Sequence, residues 1–535
     1  MKEKIKIMKF LTVFIIGAVI CYGNIASAKL PENQEAITEG KKVYTRHCWP
    51  CHGVDGAGDG PAAQILEPRP RNFVSALFKL RTTSTGNLPL DEDLFKTITN
   101  GMPGSAMPAF GTLLNEEERW QVIYYIKTLS EYFADKSLDP YNAKVTIGSP
   151  PVVTQDVLQK GRAAYEKAEC FKCHGDQGKG NGDSASELTD QEGYRLLPRN
   201  LTKGWKYRGG TSLTDIYTRF TTGMDGTPMP SFIDNLTDDE RWNLAAYVKS
   251  LIKDRDLTGN MLKGLKVLEE LPVDTESPLW ELAEALEVPM AGQIIWKPRW
   301  LIPTVDTMVV QCLFNEDEIA FKLTYDDRFK DVEHDEGTLL PISETAYPIL
   351  QSEDPEFDPH FTLNEYVLRD SVALQFPQDP VEGTEKPHFM WGYGNAPVYL
   401  LKWNSDAQEQ GNNPVFEMNA KGHKKPPKEQ AAESQAAVGK GVFNDGQWSV
   451  VIKRKLVTEE KTDTQFSTGT FIPVSFQAWD GSNSENGSRM ALSTWNYLIL
   501  EGTMPISVYI YTVVFVVVAG LLEWLFTCRA KKSKE

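Results

Sequence analysis

Two short cysteine motifs constrain this chain more than any other feature of its 535 residues. CWPCH covers Cys48 to His52 and CFKCH covers Cys170 to His174, so both follow the pattern C-x-x-C-H. By chance, one such motif is expected in roughly one chain in a thousand of this composition, and two almost never. Two thiols at this spacing can bond to the two vinyl groups of a porphyrin, while the adjacent His binds its iron. The sequence therefore predicts two covalent haems c. The predicted attachment residues are Cys48, Cys51, His52, Cys170, Cys173 and His174.

A zinc site is the main alternative for paired cysteines. Zinc would need a second pair of ligands for each motif. Outside the motifs the chain has only Cys21, Cys312 and Cys528, which cannot supply them. The motifs therefore indicate haem attachment, and the remaining cysteines predict no disulfide framework.

The two motifs each open one copy of a repeated module. Met107 in GMPGSAMPAF lies 55 residues after His52, and Met229 in TTGMDGTPMPSF lies 55 residues after His174. Both pairs are displaced by 122 residues, and self-similarity at a fixed displacement marks a repeated structural unit. The chain is therefore predicted to contain two copies of one small domain.

Each copy ends in an amphipathic helix, WQVIYYIKTL in one and WNLAAYVKSL in the other. A capping box, in which a cap side chain and the third helical residue bond each other's backbone, precedes each helix. The predicted boxes are Asn115 with Glu118 and Thr237 with Glu240. We therefore expect two all-α domains, at residues 34–135 and 152–256.

These motifs resemble the class I cytochrome c family, whose late M-P-x-F loop carries the distal methionine. The resemblance implies that Met107 and Met229 are the sixth iron ligands. Met102 and Met224 compete with them because they are also 122 residues apart, whereas His47 has no counterpart in the second copy. His/Met ligation closes both axial positions of an iron, so we expect electron transfer and no substrate binding at these haems.

The region 272–500 has a different periodicity. Ile319, Phe321, Leu323 and Tyr325 alternate with more polar residues, the pattern of a half-buried strand. Several further short strand-like runs predict a mainly-β sandwich. The segment 406–439, rich in Ala, Gln, Lys and Glu, is predicted to be a mobile insertion in it.

Five blocks of this region resemble the ethylbenzene dehydrogenase haem-binding domain. The blocks are NEDEIAFKLTYDD, LRDSVALQFP, APVYLLKW, GQWSVVIKRKL and IPVSFQAWDG. That family comprises gamma subunits of extracytoplasmic molybdenum enzymes. The resemblance implies a β sandwich that holds one non-covalent b-type haem between a Met and a Lys.

The two b-haem ligands do not carry over directly. The family methionine directly precedes a glycine, where this chain has Trp391, with Met390 one residue earlier. The family lysine has no equivalent before LSTW, so Met490 is the substitute candidate and His388 is its rival. Alternatively, the domain has lost its haem and serves as a docking scaffold.

The two ends of the chain predict export and membrane anchoring. Residues 1–28 have the basic start, apolar run and A-x-A site of a cleaved signal peptide. Residues 504–526 are almost entirely apolar and long enough for a single transmembrane helix. The basic tail 527–535 is predicted to be cytoplasmic, which places the body on the periplasmic side of the membrane. The net charge of -17 argues against nucleic acid as a partner.

These features predict a membrane-anchored multihaem electron-transfer subunit, not itself a catalyst. By the second resemblance it belongs with a nitrite oxidoreductase or nitrate reductase-like enzyme. The expected partners are a molybdopterin catalytic subunit, an iron-sulfur subunit, and a soluble or membrane-bound cytochrome acceptor. A dihaem peroxidase is an alternative, disfavoured because two equivalent Met loops leave no open iron. A redox- or ligand-sensing haem module is another, disfavoured because the tail is too short for a signalling output.

Overall fold

The computed structural model describes residues 29–63, 66, 68–295, 299–335, 368–381, 385–422, 425–501 and 514–523. The chain divides into two compact units, Met1–Lys253 and Asp254–Glu535. The first unit is helical and the second is rich in β-strands. The predicted signal peptide and cytoplasmic tail lie outside the described residues.

The first unit contains two helical domains built from corresponding helices. The first domain has α1 (Gln34–His47), α2 (Trp49–His52), α3 (Asp91–Asn100) and α4 (Glu116–Lys127). The second has α5 (Gln155–Lys167), α6 (Phe171–His174), α7 (Leu213–Thr222) and α8 (Asp238–Ser250). Both predicted capping boxes are confirmed at the starts of α4 and α8.

The entry helix of each domain packs against its last helix through a glycine. A Cβ atom on Gly40 of α1 would lie 1.9 Å from the backbone oxygen of Gln121 in α4. On Gly161 of α5 it would lie 2.1 Å from the backbone oxygen of Asn243 in α8. Both distances are far inside van der Waals contact, so only glycine allows the helices to cross this closely. This crossing holds the C-x-x-C-H segment, which begins within three residues of the end of the entry helix, in a fixed place.

The second unit is dominated by β-strands. They are β1 (Met261–Lys266), β2 (Leu286–Pro289), β3 (Ala291–Gly292), β4 (Thr307–Phe314), β5 (Glu318–Asp326), β6 (Ser371–Pro377), β7 (Val398–Asn404), β8 (Val415–Ala420), β9 (Lys428–Glu429), β10 (Val438–Phe443), β11 (Gln447–Lys455), β12 (Phe471–Trp479), β13 (Ala491–Leu492) and β14 (Asn496–Leu500). Two short helices, α9 (Leu279–Leu282) and α10 (Ser405–Glu409), lie between strands.

Strand β12 links two groups of strands. The order of hydrogen-bonded neighbours is β10-β11-β5-β4-β1-β14-β12-β6-β7-β8-β9. The first half of β12 pairs with β14 and the second half pairs with β6. In β5, Ile319, Phe321, Leu323 and Tyr325 are all buried, as their alternation predicted, and they contribute to the main core of the unit.

One expectation for this region is wrong. The segment 406–439 was expected to be a mobile insertion, but Val415–Ala420 forms β8, which pairs with β7 along its whole length. Val415 and Ala420 are buried, at 2% and 4% exposure. The sequence did not reveal this strand, because polar residues between its two buried ends interrupt the apolar pattern. The polar composition of the whole segment therefore outweighed the short strand pattern.

The predicted transmembrane segment is only partly described. Residues 514–523 are helical, with exposed apolar side chains such as Phe515 and Val516. Within the described residues, no helix has the length and hydropathy needed to cross a membrane. The rest of the predicted segment 504–526 lies outside the described residues.

Candidate functional site

Each C-x-x-C-H motif lines an apolar cavity in its own domain. In the first domain, Cys48, Cys51 and His52 lie on the wall of a cavity of about 160 Å³, together with Met107. The motif is held in place by Tyr44 of α1, whose hydroxyl donates a hydrogen bond to the carbonyl of Gly53 at 2.7 Å. Most of the exposed cavity surface is apolar, as a porphyrin requires.

The second domain repeats this arrangement. Cys170, Cys173, His174 and Met229 line a cavity of about 480 Å³. The hydroxyl of Tyr165, the counterpart of Tyr44, donates to the carbonyl of Gly175 at 2.6 Å. In each domain, the motif and the methionine 55 residues after its histidine therefore line the same cavity, which is consistent with the sequence prediction.

The two histidines are oriented as iron ligands would be. Nδ1 of His52 lies 2.9 Å from the carbonyl oxygen of Arg71, and Nδ1 of His174 lies 2.9 Å from that of Arg199. A carbonyl oxygen only accepts, so Nδ1 carries the proton and Nε2 keeps its lone pair for a metal. Burial lowers the pKa of both histidines, which favours the neutral, ligating form.

The four motif cysteines form no disulfide with one another. Burial raises the pKa of Cys48 and of Cys170 to about 12, and it also raises the pKa of Cys51 and Cys173. These thiols are therefore protonated near neutral pH. Free, cavity-lining thiols beside a neutral His fit the covalent attachment of haem.

The methionine loops of the two domains have the same internal hydrogen bonds. The amide of Met102 donates to the carbonyl of Met107 at 3.1 Å, and the amide of Met224 donates to that of Met229 at 3.1 Å. All four methionines line their cavities. However, Met107 and Met229 also pack against the hydrophobic cores of their domains. That packing gives them a more constrained side chain than their competitors have.

The two cavities share part of their walls. Lys79 of the first domain and Arg208 of the second line both of them. The two bound groups would therefore be separated by little more than one layer of side chains. Two positive charges lie on this shared wall, where anionic groups of a cofactor could meet them.

A network of buried arginines joins the two domains beside the shared wall. Arg81 is fully buried and donates to the carbonyl of Thr222 and to Asp225, each at 2.8 Å. Arg219 donates to the carbonyls of Lys79 and Arg81 at 3.2 and 2.9 Å. The domains are therefore held in one relative orientation by several charge-assisted hydrogen bonds.

Sequence reasoning missed Lys79, Arg81, Arg208 and Arg219. They lie outside the repeated motifs and follow no periodic pattern. A single basic residue gives no signal of the partner it meets more than a hundred residues away. Only the docking of the two domains reveals their role.

In the second unit, both predicted b-haem ligands belong to one apolar cluster. Met390 and Met490 are 1% and 0% exposed and belong to one apolar cluster that includes Trp391 and Trp479. His388 lies at its edge, accepting a hydrogen bond from the amide of Met390 at 3.1 Å. The ammonium of Lys402 lies 4.3 Å from the centre of the Trp479 ring, and burial lowers its pKa to about 7. Sequence reasoning missed this lysine, because it lies on β7, far along the chain from the expected position.

Comparison with known families identifies the first unit. Residues 37–130 and 158–251 each match the family model of cytochrome c. The chain thus contains two cytochrome c domains, which fit two covalent haems c. A β-rich region follows them.

Several proteins resemble this part of the chain. A respiratory nitrate reductase heme subunit of Haloferax mediterranei is 25% identical over 42% of this chain and 68% of its own length. The Cbb3-type cytochrome c oxidase subunit FixP of Azorhizobium caulinodans is 28% identical over 43% of this chain and 65% of its own. These relationships support an electron-transfer role. The chain spans about two thirds of the length of each of these two relatives.

A solved structure also matches. One chain of the Kuenenia stuttgartiensis reducing HAO-like protein complex has 45% sequence identity, covers 42% of this chain and 100% of its own, and has a TM-score of 0.40.

Proposed function

We propose that this protein relays electrons through two haems c, one in each cavity of the first unit. The observation that carries the proposal is that Lys79 and Arg208 line both cavities, so the two sites are near neighbours. The proposed attachment and proximal residues are Cys48, Cys51, His52, Cys170, Cys173 and His174, with Met107 and Met229 as the distal ligands. When bound, each haem supplies a reversible one-electron couple.

The protein residues perform four tasks in this relay. Each His presents a neutral Nε2 because its Nδ1 is bonded to a carbonyl. Met107 and Met229 would hold the second axial side of each haem, which would keep small molecules from the iron. The apolar cavity linings exclude water, and Lys79 with Arg208 places positive charge between the two sites.

Carbon monoxide binding tests whether the irons are closed. The full-length ferrous protein should show no change in its Soret band under carbon monoxide. A Met107→Ala variant should bind it at one haem in two, because that iron has lost its distal ligand. Ready binding by the unaltered protein would contradict the relay and favour a site that takes a substrate.

We further propose that the protein is an extracytoplasmic subunit of a nitrite oxidoreductase or nitrate reductase-like molybdenum enzyme. The block resemblance of the second unit and the name of the Haloferax relative support this assignment. A molybdopterin subunit and an iron-sulfur subunit would deliver or receive electrons, and a cytochrome would exchange them at the other end. Affinity purification of the tagged full chain should recover molybdenum and additional iron, as measured by mass spectrometry. Their absence from a complex isolated in mild detergent would argue against this assignment.

Membrane anchoring by residues 504–526, with the body outside the cytoplasm, is part of the same proposal. It is supported by the apolar composition of that segment and the basic residues after it. The full chain should stay with membranes in alkaline carbonate, whereas a chain ending at residue 501 should be released. Release of both would remove the anchor from the proposal.

The b-type haem stays a prediction. The comparisons give it no support, whereas the clustering of Met390 and Met490 keeps a ligand pair available. Lys402 is a further candidate ligand, because its lowered pKa makes a neutral amine accessible near neutral pH. A pyridine haemochrome assay of the full chain separates the outcomes: two haems c alone indicate a scaffold, and an added haem b indicates a third redox site.

A further inference from the structure

Three buried aspartates meet in the second unit, at the ends of three different strands. Asp327 follows β5, Asp370 precedes β6 and Asp480 follows β12. Their exposures are 1%, 0% and 1%. One carboxylate oxygen from each lies within 4.8 Å of the others. The chain therefore brings together three acidic groups that are distant in sequence and shielded from water.

The charge of this group is poorly balanced by protein residues. Asp331 adds a fourth carboxylate close by. Arg328 is a cation close to Asp480 and Asp327. A buried anion without a compensating charge is costly, so this arrangement calls for a further positive charge.

A second observation comes from Tyr325, two residues before Asp327. Its side chain is 1% exposed, and its hydroxyl has no hydrogen-bond partner among the described residues. The carboxylates of Asp370, Asp327 and Asp480 are all near enough to this hydroxyl to act on it electrostatically. Oδ2 of Asp327 is also buried without a hydrogen-bond partner in this part of the chain. Buried polar atoms are normally satisfied, so both atoms point to a missing ligand.

The strand register supports this orientation of Tyr325. Tyr325 of β5 lies directly opposite Trp448 of β11, and directly opposed residues share one face of a sheet. The indole nitrogen of Trp448 donates to Oδ2 of Asp370 at 2.9 Å. The face that carries Tyr325 is therefore the face directed at Asp370.

The carboxylate of Asp370 is held in place by donors. Besides Trp448, the amide of Gly481 donates to Oδ1 at 3.0 Å and the amide of Asp331 donates to Oδ2 at 2.8 Å. These donors fix the orientation of the carboxylate. Oδ1 of Asp480 accepts from the amide of Asn483 at 3.1 Å. The site is thus preorganised before any ligand enters.

We propose that Asp327, Asp370 and Asp480 bind one hard divalent cation, calcium, with the hydroxyl of Tyr325 beside it. Oxygen-only ligands select hard cations, and calcium takes carboxylates at roughly 2.3–2.6 Å in a flexible geometry. One ion at these distances can reach three oxygens that lie within 4.8 Å of one another. Because β5 lies on one side of β12 in the strand order and β6 on the other, the ion joins the two groups of strands. The role is structural and independent of the haem relay.

The test uses the full chain after dialysis against a chelator and then against calcium. We expect one retained calcium per chain, and the melting temperature of the second unit should rise by roughly 5–10 °C at a hundredfold excess over Kd. Asp327→Asn should weaken calcium binding at least tenfold. Asp317→Asn, an exposed aspartate of the same unit, should leave it unchanged.

Two further measurements keep the outcome decisive. Asp370→Asn risks misfolding because its carboxylate accepts three hydrogen bonds, so Asp327→Asn, whose carboxylate accepts one from Phe329, is the primary variant. Terbium in place of calcium should emit when tryptophan is excited, because Trp448 contacts Asp370. Calcium retention that is equal in wild type and Asp327→Asn would overturn the proposal. So would a chain that is stabilised by acid but unaffected by calcium, since protonated carboxyls would then explain the cluster.

Discussion

The two cytochrome c domains have the same contacts around the proposed haem iron but differ in the chain that leads to it. In both, Nδ1 of the proximal His is 2.9 Å from a carbonyl and the methionine loop is closed by a 3.1 Å hydrogen bond. Before the motif, however, Gly40 and Gly161 are 121 residues apart, whereas the motifs are 122 apart. The second domain therefore has one extra residue between the glycine of its entry helix and its first cysteine.

The structure shows where the extra residue is absorbed. The amide of Cys48 donates to the carbonyl of Tyr44, four residues earlier, whereas that of Cys170 donates to Tyr165, five residues earlier. Glu169, just before Cys170, takes a positive φ of 54°. A non-glycine residue with a positive φ is strained. The geometry of the motif is therefore kept at the cost of local backbone strain. The difference teaches that the spacing within the motif is required by chemistry and that adjustments are made outside it.

The largest expected effect comes from removing one attachment site. The double variant Cys170→Ala, Cys173→Ala should lose one of two covalent haems, because no thioether can form in the second domain. The haemochrome absorbance per chain should fall by half, and the second domain should lose much of its helix signal. Cys312→Ala, a buried cysteine outside the motifs, should keep both haems. Full haem content in the double variant would contradict the assignment.

The next effect separates the competing methionines. Met229→Ala should remove half of the methionine-to-iron charge-transfer band and lower one reduction potential by on the order of 100 mV, because a methionine ligand raises the potential. Met224→Ala should leave the band intact. Visible spectroscopy of the oxidised protein and a redox titration check both. The opposite pattern would exchange the roles of the two residues.

The third prediction concerns the stability of the crossing between the entry helix and the last helix of each domain. Gly161→Ala should destabilise the second domain by ~3 kcal/mol, because its Cβ would meet the Asn243 carbonyl at 2.1 Å. Gly40→Ala should act similarly on the first domain. Gly148→Ala is the matched control, since its nearest neighbour would be 3.8 Å away. Thermal unfolding followed by circular dichroism measures all three, and equal melting temperatures would argue against this crossing geometry.

A smaller effect concerns the contact between the domains. Asp225→Asn should cost ~2–3 kcal/mol, because Arg81 would remain buried with its charge uncompensated. The loss should appear as separate unfolding of the two domains in calorimetry. Asp239→Asn, whose exposed side chain lies in the first turn of α8, should leave the transition unchanged. A single, unshifted transition in Asp225→Asn would show that this ion pair does not couple the domains.

The smallest expected effect makes the first site resemble the second. The ring of His52 stacks on Phe73, with centroids 4.3 Å apart. The amide of Phe73 donates a hydrogen bond to the carbonyl of Gly56, and in the second domain the corresponding bond to the carbonyl of Gly178 comes from Leu201. Phe73→Leu should cost ~1 kcal/mol of stability through lost packing while both haems are retained. Chemical denaturation with haem quantification checks this, and loss of the first haem would give Phe73 a greater role than packing.

Much of the first unit could be predicted because its chemistry is local. The C-x-x-C-H motifs, the capping boxes and the displaced methionines each lie within a short stretch, and covalent attachment tolerates few spacings. The segment 406–439 was harder, since the burial of Val415 and Ala420 depends on the strand beside them. The aspartate cluster could not be predicted, because Asp327, Asp370 and Asp480 come together only through strand pairing.

The sequence by itself determined that two cytochrome c modules are present, because each C-x-x-C-H motif and its repeat lie within one module. The tertiary structure alone decided that the two cavities share Lys79 and Arg208, and that three aspartates meet at the ends of β5, β6 and β12. The physical reason is the distance along the chain over which each kind of interaction acts. Covalent and helical constraints act over a few residues, whereas buried charge is balanced by groups that only the folded chain brings together.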